Sequence, residues 1–98
     1  MESRKTITIR SNSNSVWAYG DVLRAARILG ALRPRISEDI MGSYVYSRKV
    51  TFKEACTVVD IVNSRKLDVT IYLEGKPVRT FNDVKAIFFG FPLEGVVK

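Results

Sequence analysis

The sequence predicts an α/β fold, a two-layer sandwich in which elements in the order βαβαββ build a mixed four-stranded sheet with two helices on one face. Three observations lead there. Lys5 to Arg10 and Leu67 to Leu73 alternate apolar and polar residues and are rich in β-branched side chains, as strands with one buried face require. Two stretches with apolar residues at helical spacing lie between the strands, and the second opens with Thr51 and Glu54 at the spacing of a capping box. Right-handed β-α-β crossovers then set both helices on one face of the sheet and leave the other to solvent or a subunit. Ninety-eight residues make a single domain, 1–98, with a core over about 5–91 and short flexible ends.

In chain order, Lys5–Arg10 is the first strand, and the polar run Ser11-Asn12-Ser13-Asn14-Ser15 is a loop whose last serine can cap a helix. From Val16, the residues Tyr19, Val22, Leu23, Ala26, Leu29 and Leu32 recur at helical spacing, and Pro34 limits this helix to roughly Arg33. Arg24 and Arg27 lie off that stripe. Ile36 to Ser47 reads as a second strand bulged near Gly42, with Ile40, Tyr44 and Tyr46 on one side and Met41 and Val45 on the other. Arg48-Lys49 joins it to the capped helix over Thr51–Arg65. Phe52, Ala55, Cys56, Val59 and Val62 form that helix's apolar stripe, and Val58 and Ile61 widen it enough to suggest a second packing surface, such as a partner subunit. After the third strand, Glu74-Gly75-Lys76-Pro77 supplies a turn, Val78 to Asp83 extends the connection, and Val84–Phe89 is expected as a fourth strand, closing a hairpin with a basic tip.

Composition narrows the function. Hydrophobic residues make up 46% and charged residues 27% of the chain, an ordinary globular balance, with no repeat at a fixed period. Sixteen Lys and Arg against ten Asp and Glu leave a formal charge of +6, which favours an anionic partner such as nucleic acid, with a solvated basic surface as the even alternative on charge alone. Cys56 stands alone on the apolar stripe and reads as a small buried hydrophobe. There is no histidine, which removes the usual general base near neutral pH and the commonest zinc ligand, so neither a metal nor a cofactor is expected. No apolar run has the length of a membrane span, and no hydrophobic signal region follows Met-Glu-Ser-Arg-Lys, so no membrane partner and a cytoplasmic location are expected.

The order βαβαββ, the small basic chain and the second helix together resemble the Alba family of archaeal chromatin proteins. Glu54-Ala55-Cys56-Thr57-Val58-Val59-Asp60-Ile61-Val62-Asn63-Ser64-Arg65 parallels the family's second helix, and Ile36-Ser37-Glu38 is similar to the Val-Ser-Glu that opens its second strand. The likeness covers roughly Thr6 to Phe89. It implies a dimer with two Arg48-Lys49 junctions as a central basic platform, near Lys53, and two hairpins as arms that contact a duplex through Lys76 and Arg79. In the family, the loop after strand one presents lysines, one of them an acetylation site; here Asn12 and Asn14 stand in that loop beside Arg10. The aromatic residue that chromatin-forming members often carry after the second helix is replaced by Lys66.

Two function classes follow. The first is a chromosome-associated protein that binds DNA, RNA or both largely without sequence specificity, through Arg10, Asn12, Asn14, Arg48, Lys49, Lys53, Lys76 and Arg79, with no chemistry of its own. The second is an assembly subunit that forms a heterodimer with a more basic Alba paralogue rather than a homodimer. Trp17 and Tyr19 at the start of the first helix suggest base stacking, although Tyr19 also belongs to the apolar stripe. An enzyme built on Asp21, Glu38, Asp39, Asp60 or Asp68 ranks third, because nothing in the spacing fixes two carboxylates together.

Overall fold

Strand β1 (Lys5–Ser11) forms where alternation predicts it, with Ile7 and Ile9 wholly buried on one side and Thr6, Thr8 and Arg10 on the other. The computed structural model describes residues 3–90, so Phe91 and the end of the core expected near residue 91 lie outside it. Helix α1 (Val16–Ile28) is capped by Ser15, whose hydroxyl accepts from the Ala18 amide at 3.1 Å. It ends sooner than Pro34 alone requires, because Gly30 takes the left-handed conformation (φ 90°) that closes a helix. The buried face is Ala18, Val22, Ala25, Ala26 and Leu29, whereas Leu32 is 88% exposed. The true stripe is thus rotated from the predicted one toward the small alanines.

The segment from Ile36 to Ser47 is a hairpin instead of one bulged strand. Strand β2 (Ser37–Glu38) pairs antiparallel with β3 (Tyr44–Val50) across a turn built on Asp39. The Asp39 Oδ1 accepts from the amides of Met41 and Ser43, both at 2.9 Å, and Gly42 supplies the positive φ of 87°. Asp side chains favour such turns because they replace a backbone acceptor, and glycine adopts the left-handed region without a Cβ clash. Ile40 and Met41, expected on the strand, lie exposed at the tip.

Helix α2 (Phe52–Arg65) carries the predicted capping box. The Glu54 amide donates to the Thr51 hydroxyl at 3.2 Å, and the Thr51 amide donates to the Glu54 carboxylate at 2.8 Å. Strand β4 (Val69–Leu73) and β5 (Lys76–Val78) then form a tight hairpin through Glu74 (φ 51°) and Gly75 (φ 82°). Two consecutive positive φ angles match the right-handed twist of the flanking strands.

The expected fourth strand over Val84–Phe89 is instead part of helix α3 (Phe81–Phe89). Thr80 and Asp83 form a second capping box, with the Asp83 amide donating to the Thr80 hydroxyl at 3.2 Å and the Thr80 amide to the Asp83 carboxylate at 3.1 Å. With that start fixed, Val84, Ile87 and Phe88 fall on one helical face, and Val84 is fully buried. The Phe52 ring meets those of Phe81, Phe88 and Phe89 at centroid distances of 5.7, 5.7 and 4.9 Å. Phe52, the first residue of the predicted apolar stripe of α2, therefore packs against α3.

The five strands run in the order β2-β3-β1-β4-β5, and every neighbouring pair is antiparallel. This corrects the mixed four-stranded sheet. Each β-α-β crossover skips a strand: β1 and β2 are separated by β3, and β3 and β4 by β1. Parallel strands thus never become neighbours, and the first six elements follow the split β-α-β, or ferredoxin-like, arrangement. All three helices pack on the side of Ile7, Ile9, Val50, Ile71 and Leu73, which joins them in one core. No described helix lies over the other side.

Candidate nucleic-acid interface

The register fixes which side chains share the open face. Thr6, Thr8 and Arg10 on β1 lie opposite Lys49, Ser47 and Val45 on β3, and Thr8 and Arg10 lie opposite Tyr72 and Thr70 on β4. Alternation along each strand places these residues on the side away from Ile7 and Ile9. The face is therefore short-chained and rich in hydroxyls, with Arg10, Lys49 and the Tyr72 ring rising from it. Thr8 and Ser47 hydrogen-bond to each other across the strands at 3.0 Å.

At one end this face runs into a cleft of about 540 Å³ between the β1–α1 loop and the β2–β3 tip. Arg10, Asn12, Ser13, Asn14, Ser43, Thr70 and Tyr72 are among its lining residues. Three of the sequence-predicted site residues, Arg10, Asn12 and Asn14, thus come together. Asn12 is held in place: its amide nitrogen donates to Asp68 at 3.1 Å and its oxygen accepts from the Thr70 hydroxyl at 2.6 Å. Arg10 forms a 2.5 Å ion pair with Asp39, so its charge is partly neutralised before any ligand arrives. The side-chain amide of Asn14 and the hydroxyl of Ser43 have no hydrogen-bond partner among the described residues.

The other predicted residues are dispersed. Arg48 and Lys49 are consecutive strand residues, so they point to opposite faces. Lys49 is exposed on the open face, while Arg48 turns to the helix side, donates to the Leu29 carbonyl at the end of α1 and pairs with Glu54 at 3.4 Å. A platform made jointly by Arg48 and Lys49 is not formed, because the segment read as a junction is the body of β3. Lys53 is exposed in the first turn of α2, on the helical layer. The hairpin tip is Glu74-Gly75, not a basic one, and the Glu74 carboxylate accepts from the Thr6 amide at 2.7 Å. Lys76 begins β5, and Arg79 follows it with its carbonyl bound to the Asn63 amide group at 2.7 Å. Convergence of these cations at loop positions on one side is therefore not observed.

Tyr72, Thr70, Thr8 and Ser47 are site residues that the sequence reading missed. Their signal was the polar half of the alternation: the residues between the buried positions of β1 and β4 are Thr, Arg and Tyr. Trp17 is 79% exposed at the start of α1, and Tyr19, 38% exposed, packs edge-on against Tyr44 with centroids 5.0 Å apart.

Chemistry is sparse elsewhere. Among the described residues, no three His, Cys, Asp or Glu are placed to hold a metal ion. Burial pushes the Cys56 thiol above its ordinary value, which keeps it protonated and weakly nucleophilic. No described helix is long and apolar enough to cross a membrane. No family model, curated protein or solved structure matches the chain.

Proposed function

We propose that this protein binds nucleic acid, with the open sheet face and its end cleft as the contact surface and no reaction of its own. The observation that carries this reading is the meeting of Arg10, Asn12 and Asn14 with Tyr72 on an uncovered, hydroxyl-rich face of a chain with net charge +6. Amide, hydroxyl and guanidinium groups of this kind contact phosphate and sugar, which positions a ligand without reading its sequence. Arg48 is engaged within its own chain by the Leu29 carbonyl and Glu54, so Lys49 is the cation that β3 offers to a ligand on the open face.

Lys49 lies opposite Thr6 while Arg10 lies four residues farther along the same strand, so the two charges are separated by about 13 Å along the face. A polyanion crossing both would pass over Thr8 and Ser47, whose short side chains allow close approach. A salt titration of binding to duplex DNA, single-stranded DNA and folded RNA tests the reading. Binding should weaken with salt by a slope of about one for each cation engaged, and Lys49→Ala should reduce that slope by about one. Absence of salt-sensitive binding to all three ligands would rule the function out.

A further inference from the structure

We infer that the end cleft takes one unpaired base of single-stranded RNA, stacked on Tyr72, an assignment that rests on the nucleic-acid reading above. Among the described residues that face the open side or line the cleft, Tyr72 is the one aromatic, and it is flanked by small partners, Thr8 on β1 and Pro77 on β5. A flat ring bordered by short side chains offers a stacking surface to another flat ring. In a duplex both faces of each base are already stacked, so a single ring beside a recess suits an unpaired base.

The rest of the cleft fits the sugar and phosphate of the same nucleotide. Arg10 supplies the cation, and its ion pair with Asp39 holds the guanidinium at the cleft wall. The unpartnered Asn14 amide and Ser43 hydroxyl can each both donate and accept, as can a ribose 2′-hydroxyl, which is the group that separates RNA from DNA. Asn12 is already fixed by Asp68 and Thr70, so the wall is preorganised. Among the described residues of β1, β3 and β4, Arg10 and Lys49 are the cations on this face, so phosphate neutralisation alone is modest, and stacking must supply much of the binding.

The test is fluorescence anisotropy of end-labelled octauridylate, octathymidylate and a duplex RNA of equal length with the whole chain, its Tyr72→Leu, Tyr72→Phe and Asn14→Ala variants, and circular dichroism as a check of folding. Octauridylate should bind tightest. Tyr72→Leu should weaken it by about tenfold or more, Tyr72→Phe should retain it, and Asn14→Ala should bring RNA down toward DNA. Duplex binding equal to octauridylate, or a folded Tyr72→Leu protein that binds it as well as the parent, would overturn the base site while leaving nucleic-acid binding intact. Equal binding of octathymidylate would overturn the assignment to RNA. Failure of every ligand, even at low salt, would instead remove the nucleic-acid reading itself.

Discussion

Arg48 donates to the carbonyl of Leu29, so a cation on the third strand closes the end of the first helix. The last carbonyls of a helix lack intrahelical donors and carry the negative end of its dipole, and a guanidinium satisfies both needs. The Glu54 carboxylate, 3.4 Å from the same guanidinium, completes the pairing.

Arg48→Ala should therefore destabilise the fold by about 1.5–3 kcal/mol, the range for losing a hydrogen bond to a charged group. Nucleic-acid binding by the folded fraction should be unchanged. Lys49→Ala should do the reverse, leaving the urea midpoint in place and weakening binding. Chemical denaturation and anisotropy measured on the same two samples separate the roles.

Asp39→Asn should strengthen nucleic-acid binding. Asparagine retains an oxygen for the Met41 and Ser43 amides, so the turn persists, while Arg10 loses its counter-charge. The salt slope should steepen by about one contact, with a stability loss of no more than about 1 kcal/mol. An unchanged slope would show that Arg10 does not meet the polyanion.

Thr51→Ala and Thr80→Ala should each cost about 1 kcal/mol, because each removes the hydroxyl of a capping box. Phe52→Ala should act more locally. It removes the ring that joins Phe81, Phe88 and Phe89, at a cost of about 2 kcal/mol for a half-buried phenylalanine. Amide exchange in α3 should rise well before exchange in β1.

The raised Cys56 thiol sets a pH dependence. The folded chain holds the proton more tightly than the unfolded one, so stability is unaffected well below the ordinary value of 9.0 and declines as pH rises through it. At pH 8, a disulfide reagent should modify Cys56 in the native protein far more slowly than in urea.

Local signals were legible wherever the sequence carried a cap or an alternation. Thr51 with Glu54 marked α2, Ser15 marked α1, and the Thr-Ile-Thr-Ile run marked β1. The same reasoning applied to Thr80 and Asp83 marks α3, but aromatic and β-branched content from Val84 to Phe89 outweighed it, since β propensity reflects packing context more than backbone preference. Strand neighbours were not legible, because local pattern does not distinguish a crossover that skips a strand from one that does not. The candidate site suffered accordingly. Arg10, Asn12 and Asn14 are close in sequence and stayed together, whereas Arg48 and Lys49 were separated by the strand alternation once that segment proved to be β3. Tyr72 depends on β4 pairing beside β1, a relation only the folded chain reveals.

The central position of β1 has a consequence for synthesis. This strand leaves the ribosome before the other described strands, yet its two neighbours are β3 and β4, with Thr8 set against Ser47 on one side and Tyr72 on the other. Pairings so distant along the chain form late, because a long loop must close before any contact rewards it. Until Leu73 has emerged, Ile7 and Ile9 belong to a strand with an unprotected flank, open to pairing with other chains. Nascent chains stalled before β4 should accordingly be protease-sensitive and prone to association, and those extended past α3 should not.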